Sequence, residues 1–200
     1  KINIEILEFD LDNWLIVLGL YINFGKIYNQ KLLFYIPNLR LIKLLENALI
    51  ELNIKYTRDQ GGRLYISKES PSVYVHFYNL NYNKDIVLPN YVWSLSQKHC
   101  LKLFNIILDN EYARNDDITY YTTENKVLLN ELTRLALHCN WSGTINGDRV
   151  YINKSNNQPF INKDSTTKEW FEHYCGKVYC IDMPSSHTYY MRENENSPPM

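Results

Sequence analysis

Apolar residues recur at Leu41, Ile42, Leu45, Ala48, Leu49 and Leu52, a spacing that lines one face of a helix. The same spacing returns at Leu128, Leu129, Leu132, Leu135, Ala136 and Cys139, each 87 positions on. A second pair of segments stands in the same relation. Trp14 to Ile22 is apolar on every side, which predicts a buried helix from Trp14 to about Gly25, capped by Asp12 or Asn13. Ser96 to Asn110 predicts its counterpart, with Gly19 and Asn105 86 positions apart. An internal duplication accounts for both offsets.

Between these helices the period changes to two. Lys31 to Ile36 reads as a strand, and Ile54 to Arg58 with Arg63 to Ser67 reads as a hairpin around Gln60-Gly61-Gly62. Ser72 to Tyr78 reads as a further strand or short packing segment, and Asn79 to Pro89 as the linker between copies. The second copy runs as helix, strand Ile118 to Thr123, helix Asn125 to Asn140, then strands Trp141 to Ile145 and Arg149 to Ile152, the order α, β, α, β, β expected of the first. After Lys154 the character shifts. Ser155 to Pro159 is linker-like, and Glu169 to Tyr174, Lys177 to Met183 and His187 to Arg192 read as strands.

Composition narrows the function classes. With 45% hydrophobic residues in 200, the chain can bury a core, and its longest apolar run is too short to cross a bilayer. Cys100, Cys139, Cys175 and Cys180 form no CxxC pair, which fits reduced thiols in a soluble, intracellular, monomeric protein. The net charge of −1 withholds the basic signature of a nucleic-acid binder, so any grip on DNA must come from local patches. His76, His99, His138 and His173 show no metal spacing and read as structural.

Three stretches carry a resemblance to a known family: Leu18-Gly19-Leu20 with Gly25; Tyr120-Tyr121-Thr122-Thr123 before the second long helix; and Leu135 to Ser142 at its end. They resemble the LAGLIDADG, or DOD-type, homing endonucleases carried inside inteins. Gly176 to Pro184 and Ser186 to Arg192 are similar to the penultimate block of the intein splicing (Hint) domain. The resemblance implies an α+β fold: residues 1–12 as N-terminal linker, a pseudo-two-fold domain of two αββαββ-type repeats over 13–153 (13–78 and 95–153), and an all-β Hint segment over 154–200. It further implies double-stranded DNA as a partner, host-protein exteins as flanks, and Mg²⁺ as the cofactor of phosphodiester cleavage.

The carboxylates that this chemistry needs are absent from their expected places. The resemblance puts the two acid positions on Phe24 and Asn110, and neither supplies negative charge to a hard cation. The helix crossing, small in the family, here carries Asn105 and Asp109. Asp109 and Glu111 are the nearest candidate metal ligands. His187 and Cys180 fall on the splicing block, where the resemblance implies help in Asn cyclisation. Lys31, Arg63, Lys68, Arg149 and Lys154, interleaved with Tyr65, Tyr74, Tyr120 and Tyr151, lie on strands that would form the DNA-facing surface. The expectation is an intein fragment with a catalytically degenerate endonuclease domain; the alternative is a non-catalytic DNA-binding or structural remnant that stabilises a splicing domain.

Overall fold

The computed structural model describes residues 2–4, 7–66, 70–80, 86–109 and 118–154, with backbone only for 2–4, 7, 8 and 118. It is a mixed α+β structure. A hairpin of β1 (Ile2–Ile4) and β2 (Leu7–Phe9) leads into α1 (Leu11–Phe24). There follow β3 (Gly25–Tyr28), β4 (Lys31–Phe34), α2 (Leu39–Glu51), β5 (Tyr56–Arg58), β6 (Leu64–Ile66) and α3 (Pro71–Leu80). A 3-10 turn at Asn90–Ser94 precedes α4 (Gln97–Leu108), β7 (Ile118–Thr122), α5 (Lys126–His138), β8 (Ser142–Asn146) and β9 (Arg149–Asn153). None of the described helices is long and apolar enough to cross a membrane.

The 87-residue offset reaches down to single hydrogen bonds. Asn38 caps α2 and Asn125 caps α5, each through its side-chain oxygen. Both helices end in the same motif, with Asn53 and Asn140 at left-handed φ of 54° and 59°. Ile54 N–H donates to Leu49 O and Trp141 N–H to Ala136 O, both at 2.8 Å, while Asn53 and Asn140 donate to Ile50 O and Leu137 O, both at 2.9 Å. The strands recur too, since β4-β6-β5 and β7-β9-β8 are antiparallel with identical connection order. Replacing Asn38 by alanine should cost about 1 kcal/mol in urea titrations, and replacing Asn125 more, because its Nδ2 also donates to Ile86 O at 2.8 Å. An Asn125→Ala cost no larger than that of Asn38→Ala would mean that the bond to Ile86 adds nothing.

α1 sits at the centre because it has no polar face to offer water. Trp14 through Ile22 are all buried, and the helix packs on α4 and on α2. At Gly19 an added Cβ would lie 2.7 Å from Ile106 Cγ2 and 3.5 Å from Leu103 Cδ1, so glycine sets the approach of the helices. The expected partner, Asn105, is exposed instead; Leu103 and Ile106, one turn apart, form the stripe that meets α1.

Five other expectations need correction. The helix start is Leu11, and the cap is Asp10, whose carboxylate accepts from Asn13 N–H at 2.9 Å. Residues 1–12, expected as linker, include a strand pair whose Phe9 stacks on Trp14 with ring centroids 5.1 Å apart. In the first half a strand, β3, precedes Lys31, where reading of the residues gave none and the αββαββ pattern implied by the resemblance has one. Ser72 to Tyr78 is helical, because Val73, Phe77 and Leu80 are buried at the helical period and Pro71 suits a first helical position. Of the linker expected over 79–89, residues 86–89 pack closely: Leu88 is buried and its N–H donates to Glu131, while Asn125 Nδ2 donates to Ile86 O at 2.8 Å.

Candidate nucleic-acid interface

The four-stranded and the three-stranded sheet each bury one face on the helices and leave the other outward. In the second half Val150 and Ile152 of β9 point in with Ile145 of β8, so Arg149, Tyr151 and Asn153 point out. Register places Tyr120, Tyr151 and Thr144 in one outward row and Thr122, Arg149 and Asn146 in the next. In the first half the matching row is Lys26, Leu33, Tyr65 and Thr57. Leu33 is the exception on that side, only 5% exposed.

Cations on these faces lie against aromatic rings. Lys31 Nζ is 6.0 Å from the Tyr65 ring centre and the Arg149 guanidinium 5.2 Å from Tyr120, whereas Lys154 Nζ, past the end of β9, is 4.8 Å from Trp141, whose ring packs on the core side 5.6 Å from Phe104. The Tyr120 and Tyr151 rings are 5.7 Å apart. The phenol two residues on, Tyr65 beside Arg63 and Tyr151 beside Arg149, raises each guanidinium pKa above its usual value, and nearby negative charge adds to it. Tyr65 Oη–H in turn donates to Asp59 Oδ2 at 3.0 Å, and the Arg63 amide donates to Asp59 Oδ1 at 2.9 Å. Those bonds hold the Asp59 carboxyl below its ordinary pKa, the Arg63 amide contributing most.

At the ends of α1 and α4 the geometry is that of a structural junction. Phe24 is partly buried against the core, and its carbonyl accepts from Tyr35 N–H at 3.0 Å. Asp109 caps α4 and its carboxylate receives Arg40 Nη2 at 2.6 Å. Asn23 Nδ2 donates to Ile107 O at 2.9 Å, while its Oδ1 is buried with no partner. Magnesium needs several accessible oxygens. Phe24 has none on its side chain, Asp109 is engaged by a guanidinium, and Asn23 Oδ1 is closed to solvent, so the described donors do not fit the ion. Among the described residues no group of three or more His, Cys, Asp or Glu forms a metal cluster.

No family model matches the chain. Over 104 residues, 51% of its length, it is 32% identical to an ATP-dependent Clp protease proteolytic subunit of Chlamydomonas moewusii. The match covers 10% of that protein.

Of the residues singled out from sequence, the register brings Tyr120 and Arg149 near each other on the second sheet, while Lys31 and Arg63 fall at opposite ends of the β4–β6 pair and Lys154 follows β9 at the end away from Arg149. Lys68, Asn110, Glu111, Cys180 and His187 lie outside the described residues. Tyr74 sits on α3 with its ring 6.0 Å from Tyr78, away from the strands it was assigned to. Sequence reading passed over Lys26, Tyr28 and Tyr35, all exposed on or beside β3 and β4. It also passed over a visible signal: Arg63-Leu64-Tyr65-Ile66 and Arg149-Val150-Tyr151-Ile152 are nearly the same tetrapeptide, 86 positions apart.

Proposed function

We propose that this chain is the degenerate LAGLIDADG-type endonuclease domain of an intein, a two-repeat unit that holds duplex DNA on its two sheet faces without cutting it. The observation that carries this reading is the packing of α1 on α4 at Gly19, with the same cap, helix, C-terminal motif and hairpin recurring on either side at one offset. Two such halves meeting through their first helices are what the resemblance calls for. The similarity to a segment making up a tenth of a longer protein fits an element carried inside a host chain. The splicing roles of Cys180 and His187, and the Hint assignment of residues 154–200, rest on the sequence resemblance.

Cleavage is lost because the charge that would hold a divalent ion is missing. Metal-assisted hydrolysis polarises a water between oxygen ligands, and here Phe24 supplies no oxygen while Arg40 stands where a cation would meet Asp109. Incubated in millimolar Mg²⁺ with duplex carrying the uninterrupted host-gene junction, the chain should shift the DNA in a mobility assay and leave it intact. Specific cleavage, abolished by Asp109→Ala or Glu111→Ala, would show that the acid role has moved along the helix. No binding to any duplex would leave the second reading, a remnant that stabilises a splicing domain.

A further inference from the structure

We infer that Asn146 is a site of spontaneous covalent modification, at which the side-chain amide is lost and an aspartate or isoaspartate is left at the turn between β8 and β9. The inference stands on the chemistry of this turn and does not depend on the chain binding DNA.

Of the 24 asparagines in the chain, Asn146 alone is followed by glycine. The side-chain carbon of an asparagine is open to attack by the backbone nitrogen of the next residue, and that nitrogen is least hindered when the next residue has no side chain. Glycine stands at 147 because the turn demands it: its φ is 64°, in the left-handed region that other residues enter at a cost. An added Cβ there would meet nothing within 4 Å, so the approach is open from outside as well. Asn146, Gly147 and Asp148 are all exposed to the water that the reaction consumes.

Strand geometry decides how readily the attacking atoms meet. An extended Asn146 holds the Gly147 nitrogen away from its own side-chain carbon, so its ψ must rotate before a ring can close. One ladder pair resists that rotation, Asn146 with Arg149, the last pair before the turn. β8 is an edge strand in the order β7-β9-β8, so the described strands give Asn146 no second neighbour to break from. End pairs of this kind open at the low end of the stability range. Opening stays local, because Thr123 N–H holds Asp148 O at 2.9 Å on the far side of the turn. Other asparagines are hindered. Asn53 and Asn140 precede the bulky Ile54 and Trp141, Asn47 lies inside α2, and the side-chain oxygens of Asn38 and Asn125 are bound by backbone amides.

In the first step the Gly147 nitrogen bonds to the Asn146 side-chain carbon, its proton leaves with the amide nitrogen as ammonia, and a five-membered succinimide remains. One water then opens the ring at either carbonyl. The products are aspartate or, with the main chain rerouted through the side chain, isoaspartate; no oxidant is consumed. Either product adds a negative charge that asparagine lacks, directly across the ladder from Arg149, which already has Asp148 at 3.8 Å. Isoaspartate also lengthens the main chain, and a two-residue turn has no slack for it.

Peptide mapping by mass spectrometry, on the full chain held folded at neutral pH for weeks, tests the site. The tryptic peptide from Leu135 to Arg149 contains both Asn140 and Asn146 and so carries its own control. Asn146 should gain about one mass unit, as both aspartate and isoaspartate, and Asn140 none. In guanidinium chloride the gain should come about tenfold faster, since no ladder pair then has to open. Digestion in heavy-oxygen water marks any conversion that occurs during the digest itself. Asn146→Gln should abolish the gain, and Gly147→Asp, a side chain that tolerates left-handed φ, should slow it severalfold. An Asn146 that keeps its mass in the folded chain while the denatured chain converts would show that the turn protects it, and the inference fails. Equal conversion at Asn140, or a Gly147→Asp chain that converts as fast as the wild type, would overturn the part assigned to glycine.

Discussion

Leucine in place of Gly19 should destabilise the fold by at least about 3 kcal/mol, near the upper end of what overpacking costs in a closed core. A Cβ there would already stand 2.7 Å from Ile106 Cγ2 and 3.0 Å from Ile106 Cβ. Those atoms are a β-branched stem on a helix, so they cannot swing away as the tip of a long side chain would. Nor can α1 retreat, because Leu18 and Leu20 are both fully buried on its other sides. Alanine is the milder case: its gain of about 1 kcal/mol in helix propensity offsets part of the clash, leaving a net loss of about 1–2 kcal/mol. Ile106→Ala should restore much of the loss in Gly19→Ala, giving a coupling above about 1 kcal/mol in a double-mutant cycle. Stability of Gly19→Leu within about 0.5 kcal/mol of wild type would mean that the helices are not in this contact.

Acid should weaken the protein well before the carboxylates titrate. His76 lies among Trp14, Phe77 and Tyr91, with ring centroids 5.2, 5.3 and 5.8 Å away, and its Nε2 is 3.4 Å from the Tyr91 hydroxyl. Tyr91 accepts from Trp14 Nε1–H at 2.8 Å, so the three side chains tie α1, α3 and the 3-10 turn together. Burial disfavours the imidazolium and brings the His76 pKa down to about 4 from 6.5. Between those values the unfolded chain binds the proton and the folded chain does not. Stability is therefore complete above pH 6.5 and falls as pH drops toward 4, by up to about 3 kcal/mol. His138, lowered by burial, acts in the same sense; Glu131, raised by burial, acts oppositely near the bottom of the range. Urea midpoints from pH 7 to pH 4.5 should decline in the wild type and decline much less in His76→Gln. Equal slopes in the two proteins would assign the acid sensitivity elsewhere.

What the sequence made legible was whatever is written locally and twice. The α2 and α5 helices, their hairpins and the 87-residue offset follow from apolar spacing, because each amphipathic stripe has one sheet to cover. α3 is not legible as a helix because Val73 to His76 alternates small and large groups over a stretch too short to separate the two periods, and only burial of Val73, Phe77 and Leu80 decides between them. At the helix junction, the family resemblance marks the missing charge at Phe24 but not the partner of Asp109, since Arg40 lies 69 positions away and no local pattern announces that meeting. The partner of Gly19 was misassigned by one residue, which on a helix is a rotation of about 100° and so a different face. The repeated tetrapeptide at Arg63 and Arg149 is found by sliding the chain over itself at 86 rather than 87, the loss of one position reflecting different turns: Asp59 to Gly62 in the first hairpin, and a two-residue turn at Gly147 (φ 64°) in the second.

The all-round apolar surface of α1 also sets a clock. α1 leaves the ribosome 86 residues before α4, so the stripe around Gly19 has no lasting cover until the second half has been made. At about 5–20 residues per second that is a wait of roughly 4–17 seconds, long against the microseconds in which a helix forms. For that interval the nascent first half exposes the strip that the second half later closes. A chain ending before α4 should therefore expose that strip, and light scattering of residues 1–95 beside the full chain should show aggregation of the shorter one.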